Sequence, residues 1–195
     1  MTKFEAKKFE IPELQGISQK TIEEHIKLYE GYVKNANLIL EEISSRNPEA
    51  DAYAISEMQR RFAFEFDGMR NHEIYFESLS GAAKNISEND LKNKISDNWG
   101  SFDLWLARFK TIAKTRGIGW AILYHDPKSN ELLNAWIDEQ HLGHLVGCTP
   151  VLALDMWEHS FVADYLPSGK AQYIEDFFEN LNWDIIENNF QNCKR

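Results

Sequence analysis

The sequence predicts an α+β protein, with an N-terminal α-helical hairpin followed by an α/β domain carrying three strands. Three observations support this. Two long amphipathic runs fill roughly the first 80 residues, a linker-like stretch starts at Ser80, and beyond it short β-type apolar runs alternate with helical ones. The expected division is 1–82 for the helical unit and 83–195 for the α+β unit.

The first helix is expected over Ser18 to Ser45. Ile22, Ile26, Tyr29, Val33 and Ala36 recur at helical spacing, and Thr21 followed by Glu24 offers a capping box. A second helix is expected from Ala52 to Leu79, its later half aromatic-rich ("FAFEFDGMRNHEIYFESL"). The short turn between them predicts an antiparallel pair. After the linker "SGAAKNISEND", one helix is expected through "NWGSFDLWLARFKTIAKTR", ended by Gly117. "GWAILYHD" and "ELLNAWID" read as strands joined by "PKSN", "TPVLAL" as a third strand, and the tail from Lys170 as helix.

Composition narrows the function classes. The 195 residues are 43% hydrophobic and 13% aromatic, which fits a packed globular chain rather than a disordered one. A formal net charge of -10 argues against a nucleic-acid partner, which needs clustered Lys and Arg. No apolar run approaches the ~20 residues of a membrane span. The charged N-terminal stretch has no apolar core of a secretory signal. Cys148 and Cys193 have no framework spacing and are expected as free thiols in a reducing cytosol, so a cytoplasmic location is expected.

Among six histidines, His25 falls in the first helix and His72 in the second, while Asp155 and His159 are four apart in "LALDMWEHSF". Those two share a face if the chain turns helical after the strand. Three imidazoles and a carboxylate form a mixed nitrogen and oxygen set, which suits iron, manganese or zinc better than calcium. An Asp-x-x-x-His pair also occurs as an ordinary polar pair, so spacing alone stops at a candidate metalloprotein. His125 and His144 are expected as ordinary surface or loop histidines.

"DMWEHSF" resembles the D-x-W-E-H-x-[YF] signature of the iron/manganese superoxide dismutases. "ISQKTIEEHIKLYEGYVKNAN" is similar to their first helix, "FEFDGMRNHEIYF" to their second, "RGIGWAILYHD" to their first strand and "AQYIEDFFENLNW" to their closing helix. The resemblance implies a three-stranded antiparallel sheet and one Fe or Mn ion per subunit, held between the two units by three histidines, one aspartate and a solvent molecule. It assigns His72, Asp155 and His159 as ligands by motif. Glu158 matches the glutamate that crosses a dimer interface to the partner's ligand histidine, and Trp120 and Trp157 become apolar wall. The implied activity is conversion of superoxide to O2 and H2O2 by redox cycling of the metal, in a homodimer or a tetramer.

The fourth ligand is where the chain departs from the pattern. The family places its first-helix histidine eight residues before the tyrosine of Y-V-x-x-x-N, and that count from Tyr32 lands on Glu24. Counting forward from Ile17 and Ser18 lands on His25, with one residue deleted before Tyr32. At about 100° per residue, seven steps bring Tyr32 within roughly 20° of His25, whereas eight leave about 80° unless a π-bulge absorbs the extra residue. His25 therefore predicts an uninterrupted α-helix.

Tyr29 (or Leu28, by register) and Val162 replace the family's interface histidine and tyrosine. Tyr29 and Tyr32 are expected at the substrate entrance, and Lys170 as a local steering charge. "DEQHLGHL" offers Gln140 as the side chain facing the metal-bound solvent, with His141 as the alternative. The altered first helix and missing interface pair also motivate a different reading, a catalytically altered metal-binding or structural member of the same fold.

Overall fold

The computed structural model describes residues 3–194. Helices α1 (Gln19–Ser45) and α2 (Ala52–Ser78) form an antiparallel hairpin, with α3 (Asp90–Trp99) and α4 (Phe102–Ala113) after it. Strands β1 (Gly119–Asp126), β2 (Glu131–Asp138) and β3 (Thr149–Asp155) follow, then α5 (Lys170–Glu179) and α6 (Trp183–Cys193).

The three strands make one antiparallel sheet in the order β2-β1-β3. The central β1 is buried along nearly its whole length, which is why "GWAILYHD" reads as an almost continuous apolar run. Its register pairs Trp120 with Asp155 at one end of the sheet. Helix α2 packs against β3, so the middle of the hairpin faces that same end.

Helix α1 is α-helical throughout, with no widened turn between His25 and Tyr32. Its cap differs from expectation. Ser18 is the N-cap, its hydroxyl accepting from Thr21 N, while Thr21 lies inside the first turn and donates to Asp164 Oδ2 at 2.6 Å. Glu24 is exposed and pairs with Lys27, so no capping box forms at Thr21.

Two expected helices are each split. The region read as linker and one helix contains α3 and α4, because Gly100 at φ +90° ends α3 and Ser101 caps α4 through Leu104 N. The tail divides at Asn180–Asn182. There Asn180 bonds the backbone of Gln15, and Asn182 N donates to Ser78 O. Those long-range bonds take backbone and side-chain groups that a continuous helix would have used locally.

The extended segment ahead of α1 straps the two units together. Lys7 N donates to Tyr29 Oη at 2.8 Å, Glu10 O accepts from Gly81 N, and Gln15 N donates to Asn180 Oδ1.

Candidate metal centre

Four side chains converge where the hairpin meets the sheet end. His25 comes from α1, His72 from α2, Asp155 from the last position of β3 and His159 from a 3-10 turn at Glu158–Ser160. One ligand atom from each lies within 4.8 Å of the others. Nε2 of His25, His159 and His72 stand 3.0, 3.1 and 3.6 Å from Asp155 Oδ2. The expected helical continuation after β3 is this single tight turn. Ser160 Oγ holds it closed by donating to Trp157 O at 2.7 Å, and His159 folds back onto Asp155.

The donor set fits one transition-metal ion. His72 Nδ1 lies 2.6 Å from Gly68 O, and a carbonyl only accepts, so Nδ1 carries the proton and Nε2 keeps its lone pair. Among the described residues that buried Nε2 has no hydrogen-bond partner, and it lies close to the other three ligand atoms. Bonds of about 2 Å to one ion would satisfy all four groups together. The second carboxylate oxygen of Asp155 is already held by Trp157 N at 2.8 Å.

The electrostatics point the same way. Burial pushes His72 down to about 3, helped by the neighbouring His25, and burial lowers His25 too, so both rings are neutral near pH 7. Burial opposes ionisation of Asp155, but His159 and His25 outweigh it and hold the carboxyl below the usual carboxylate range.

Around the cluster, Trp120 Nε1 donates to Gln140 Oε1 at 2.8 Å and Gln140 Nε2 donates to Tyr32 Oη at 3.0 Å. The structure places Gln140 between these residues, fully buried, whereas His141 sits on the ring of Phe64 at 5.6 Å. Trp157 stacks on His159 at 5.7 Å and donates its indole N–H to Glu139 O. Trp120 lies edge-on to His72 at 5.0 Å.

An open groove of about 330 Å³ leads to His159 and Tyr32, with Lys27, Leu28, Arg61 and Phe64 on its walls. Tyr29 is not at this entrance. It is fully buried, its hydroxyl donating to Glu73, because one further step around α1 turns it from the groove into the helix pair. Leu28 occupies the wall instead, and Val162 is exposed. Lys170 does not line the groove either. Its amine donates to Thr115 O, beside a separate surface hollow that it shares with the exposed Glu158.

Of the two histidines expected at the surface or in loops, His125 differs, whereas His144 lies in the loop between β2 and β3. His125 is buried on β1 against Phe190, and His144 is half-buried between Tyr124 and the Gln140 backbone. Asn71 and Arg61 carry no motif of their own in the sequence. Only Asn71, next to His72, had a positional cue.

A helical hairpin on a three-stranded antiparallel sheet, with three imidazoles and one carboxylate closing on one point between them, defines a candidate mononuclear transition-metal centre. A family model described as "Iron/manganese superoxide dismutases, alpha-hairpin domain" matches residues 9–80, and that for the C-terminal domain matches residues 87–189. The chain belongs to the iron/manganese superoxide dismutase family. It is 33% identical over 167 residues to a manganese superoxide dismutase of Mycolicibacterium smegmatis, covering 85% of this chain and 80% of that one. It is 34% identical over 174 residues to an iron superoxide dismutase of Cupriavidus metallidurans, covering 87% and 86%. A manganese enzyme of Haloferax volcanii is 34% identical over 157 residues, covering 80% and 77%.

Proposed function

We propose that this chain is a superoxide dismutase, converting superoxide to O2 and H2O2 with one Fe or Mn ion held by His25, His72, Asp155 and His159. The convergence of those four side chains on one point carries the reading. An ion bound by these four residues would supply the one-electron redox chemistry that disproportionation of superoxide needs.

The chain's own residues have separate tasks. Ligating through their nitrogen lone pairs, three imidazoles and one carboxylate would give the donor set a single negative charge, so a bound trivalent ion would remain electropositive toward an anion. Trp120 and Trp157 exclude water and lower the local dielectric. Gln140 donates to Tyr32 Oη, which leaves the phenol's own proton free to turn toward the groove and hydrogen-bond an entering anion. Burial, then the Asp155 charge, raises the Tyr32 pKa, so the phenol keeps that proton at neutral pH. With a net charge of -10, long-range steering does not help the substrate, and the cations at the groove, Lys27 and Arg61, are each paired with a carboxylate, Glu24 and Glu65.

The same reading divides the chain at residue 82 into hairpin and α+β units. It makes the protein a homodimer, or a tetramer built from dimers, through the exposed Glu158 beside His159. It also places the protein in the cytoplasm, which the two free thiols support. The decisive experiment loads metal-free protein separately with Fe and Mn and measures superoxide consumption by each form. Activity with at least one metal is expected, and bound metal without activity would overturn the reading. Sedimentation at micromolar concentration tests the dimer.

A further inference from the structure

Gln140 lies between β2 and β3, outside any helix or strand. A side chain carried on a loop keeps its distance to a neighbouring group only if the loop backbone is itself held. Here the backbone carbonyl of Gln140 accepts two hydrogen bonds, from Asn71 Nδ2 at 3.0 Å and from His144 Nε2 at 3.0 Å.

For a neutral ring these contacts select one tautomer of His144. A carbonyl only accepts, so Nε2 carries the proton and Nδ1 of the neutral ring is an acceptor. The hydroxyl of Tyr124 donates to that Nδ1 at 2.6 Å. Tyr124 is 1% exposed in the central strand, and burial followed by the nearby Asp67 raises its pKa, so it stays a donor. Asp67 on α2 stands 4.0 Å from Nε2, on the same side as the Gln140 carbonyl. A continuous chain of contacts therefore runs from β1 through Tyr124 and His144 to the Gln140 backbone, and through its side chain to Tyr32. His144 and Tyr124 line a cavity of about 500 Å³ to which none of the four converging side chains contributes.

We propose that His144 is a positioning residue for Gln140: held in one tautomer by Tyr124, it pins the Gln140 carbonyl and so fixes how far the Gln140 amide reaches toward the metal-ligand cluster. The inference rests on the dismutase reading with Gln140 as the side chain facing the metal-bound solvent; a donor at that position would bias the solvent's protonation. Hydrogen-bond strength falls steeply with distance and angle. Slack in the loop would therefore change the bias without removing any group from the site.

The test uses the whole chain, first without metal. The Trp120 indole N–H donates to Gln140 Oε1, so its resonance in ¹⁵N-labelled protein reports where the Gln140 side chain sits. His144→Leu is expected to move that resonance, and Tyr124→Phe to move it less in the same direction. His144→Gln, which can still donate to the Gln140 carbonyl, is expected to restore most of it. In Fe- or Mn-loaded protein, His144→Leu is expected to shift the midpoint potential and lower kcat about 10-fold at unchanged metal content, the lower end for loss of a group supporting a metal site. A folded His144→Leu protein with the wild-type Trp120 resonance and midpoint potential would overturn the proposal. If His144→Leu does not fold, Tyr124→Phe decides on the same two readouts. A wild-type chain that binds metal without dismuting superoxide, yet whose Trp120 resonance moves in the variants, would overturn the functional reading and support the clamp.

Discussion

Nε2 of His25 stands 3.0 Å from Oδ2 of Asp155, across 130 residues of chain. The contact joins the first turns of the hairpin to the last residue of the sheet. Docking of the two units and assembly of the metal site are thus one event, and changes at the site are expected to register in global stability.

His25→Ala is expected to abolish stoichiometric metal binding, with affinity falling by more than the roughly 10–100-fold typical of losing a group that only supports a ligand. Glu24→Gln, at an exposed position paired with Lys27, is expected to keep full metal content. Elemental analysis of purified protein checks both. Metal loss in Glu24→Gln with retention in His25→Ala would move the ligand to position 24.

Removing the metal is expected to lower Tm. Binding to the folded state alone contributes about 4 kcal/mol when free metal is 1,000 times Kd, and for a domain of this size that corresponds to a fall of roughly 8–16 °C. Calorimetry before and after dialysis against a chelator measures it, and reloading with Fe or Mn is expected to restore the original value.

Stability of the metal-free protein is expected to fall with acid below neutrality. In the folded chain His72 is pushed down to about 3 and His25 is also lowered, while both titrate near ~6.5 when unfolded. As pH drops through about 6.5 the unfolded chain takes up protons that the folded chain refuses. The stability these rings contribute is full above that value and declines toward pH 3, by up to about 1.4 kcal/mol per pH unit for each ring. Asp155, held low, adds its own loss at the acid end. Urea midpoints between pH 7.5 and 4.5 test this, and a flat profile would contradict it.

Gly68→Ala is expected to destabilise the hairpin and impair the site together. A Cβ at Gly68 would sit 2.8 Å from the Tyr32 ring, and Gly68 O is the carbonyl that fixes the His72 tautomer. Overpacking of this kind costs about 1–3 kcal/mol. Chemical denaturation measures the stability loss, and a matching fall in activity of the metal-loaded protein would show that Tyr32 has been displaced.

The three strands were legible because their apolar runs are bounded by turn residues, and β1 and β2 fall on the expected "GWAILYHD" and "ELLNAWID". The two long helices were legible through their periodicity. The breaks at Gly100 and at Asn180–Asn182 were harder to see. The first depends on a left-handed residue inside an otherwise helical pattern, the second on bonds to Gln15 and Ser78 far away in the chain.

At the site, the sequence by itself determined the types of donor and, through helical geometry, that His25 and Tyr32 share a face on an unbroken α1. Only the tertiary structure decided which polar neighbours meet them. It put Gln140 rather than His141 beside Tyr32, buried Tyr29 against Glu73, and gave His144 to the Gln140 carbonyl. The physical reason is that helical and strand periodicity fix a residue's face within its own element. The orientation of a loop side chain is instead set by partners from α1, α2 and β1, whose arrival at one place no local pattern encodes.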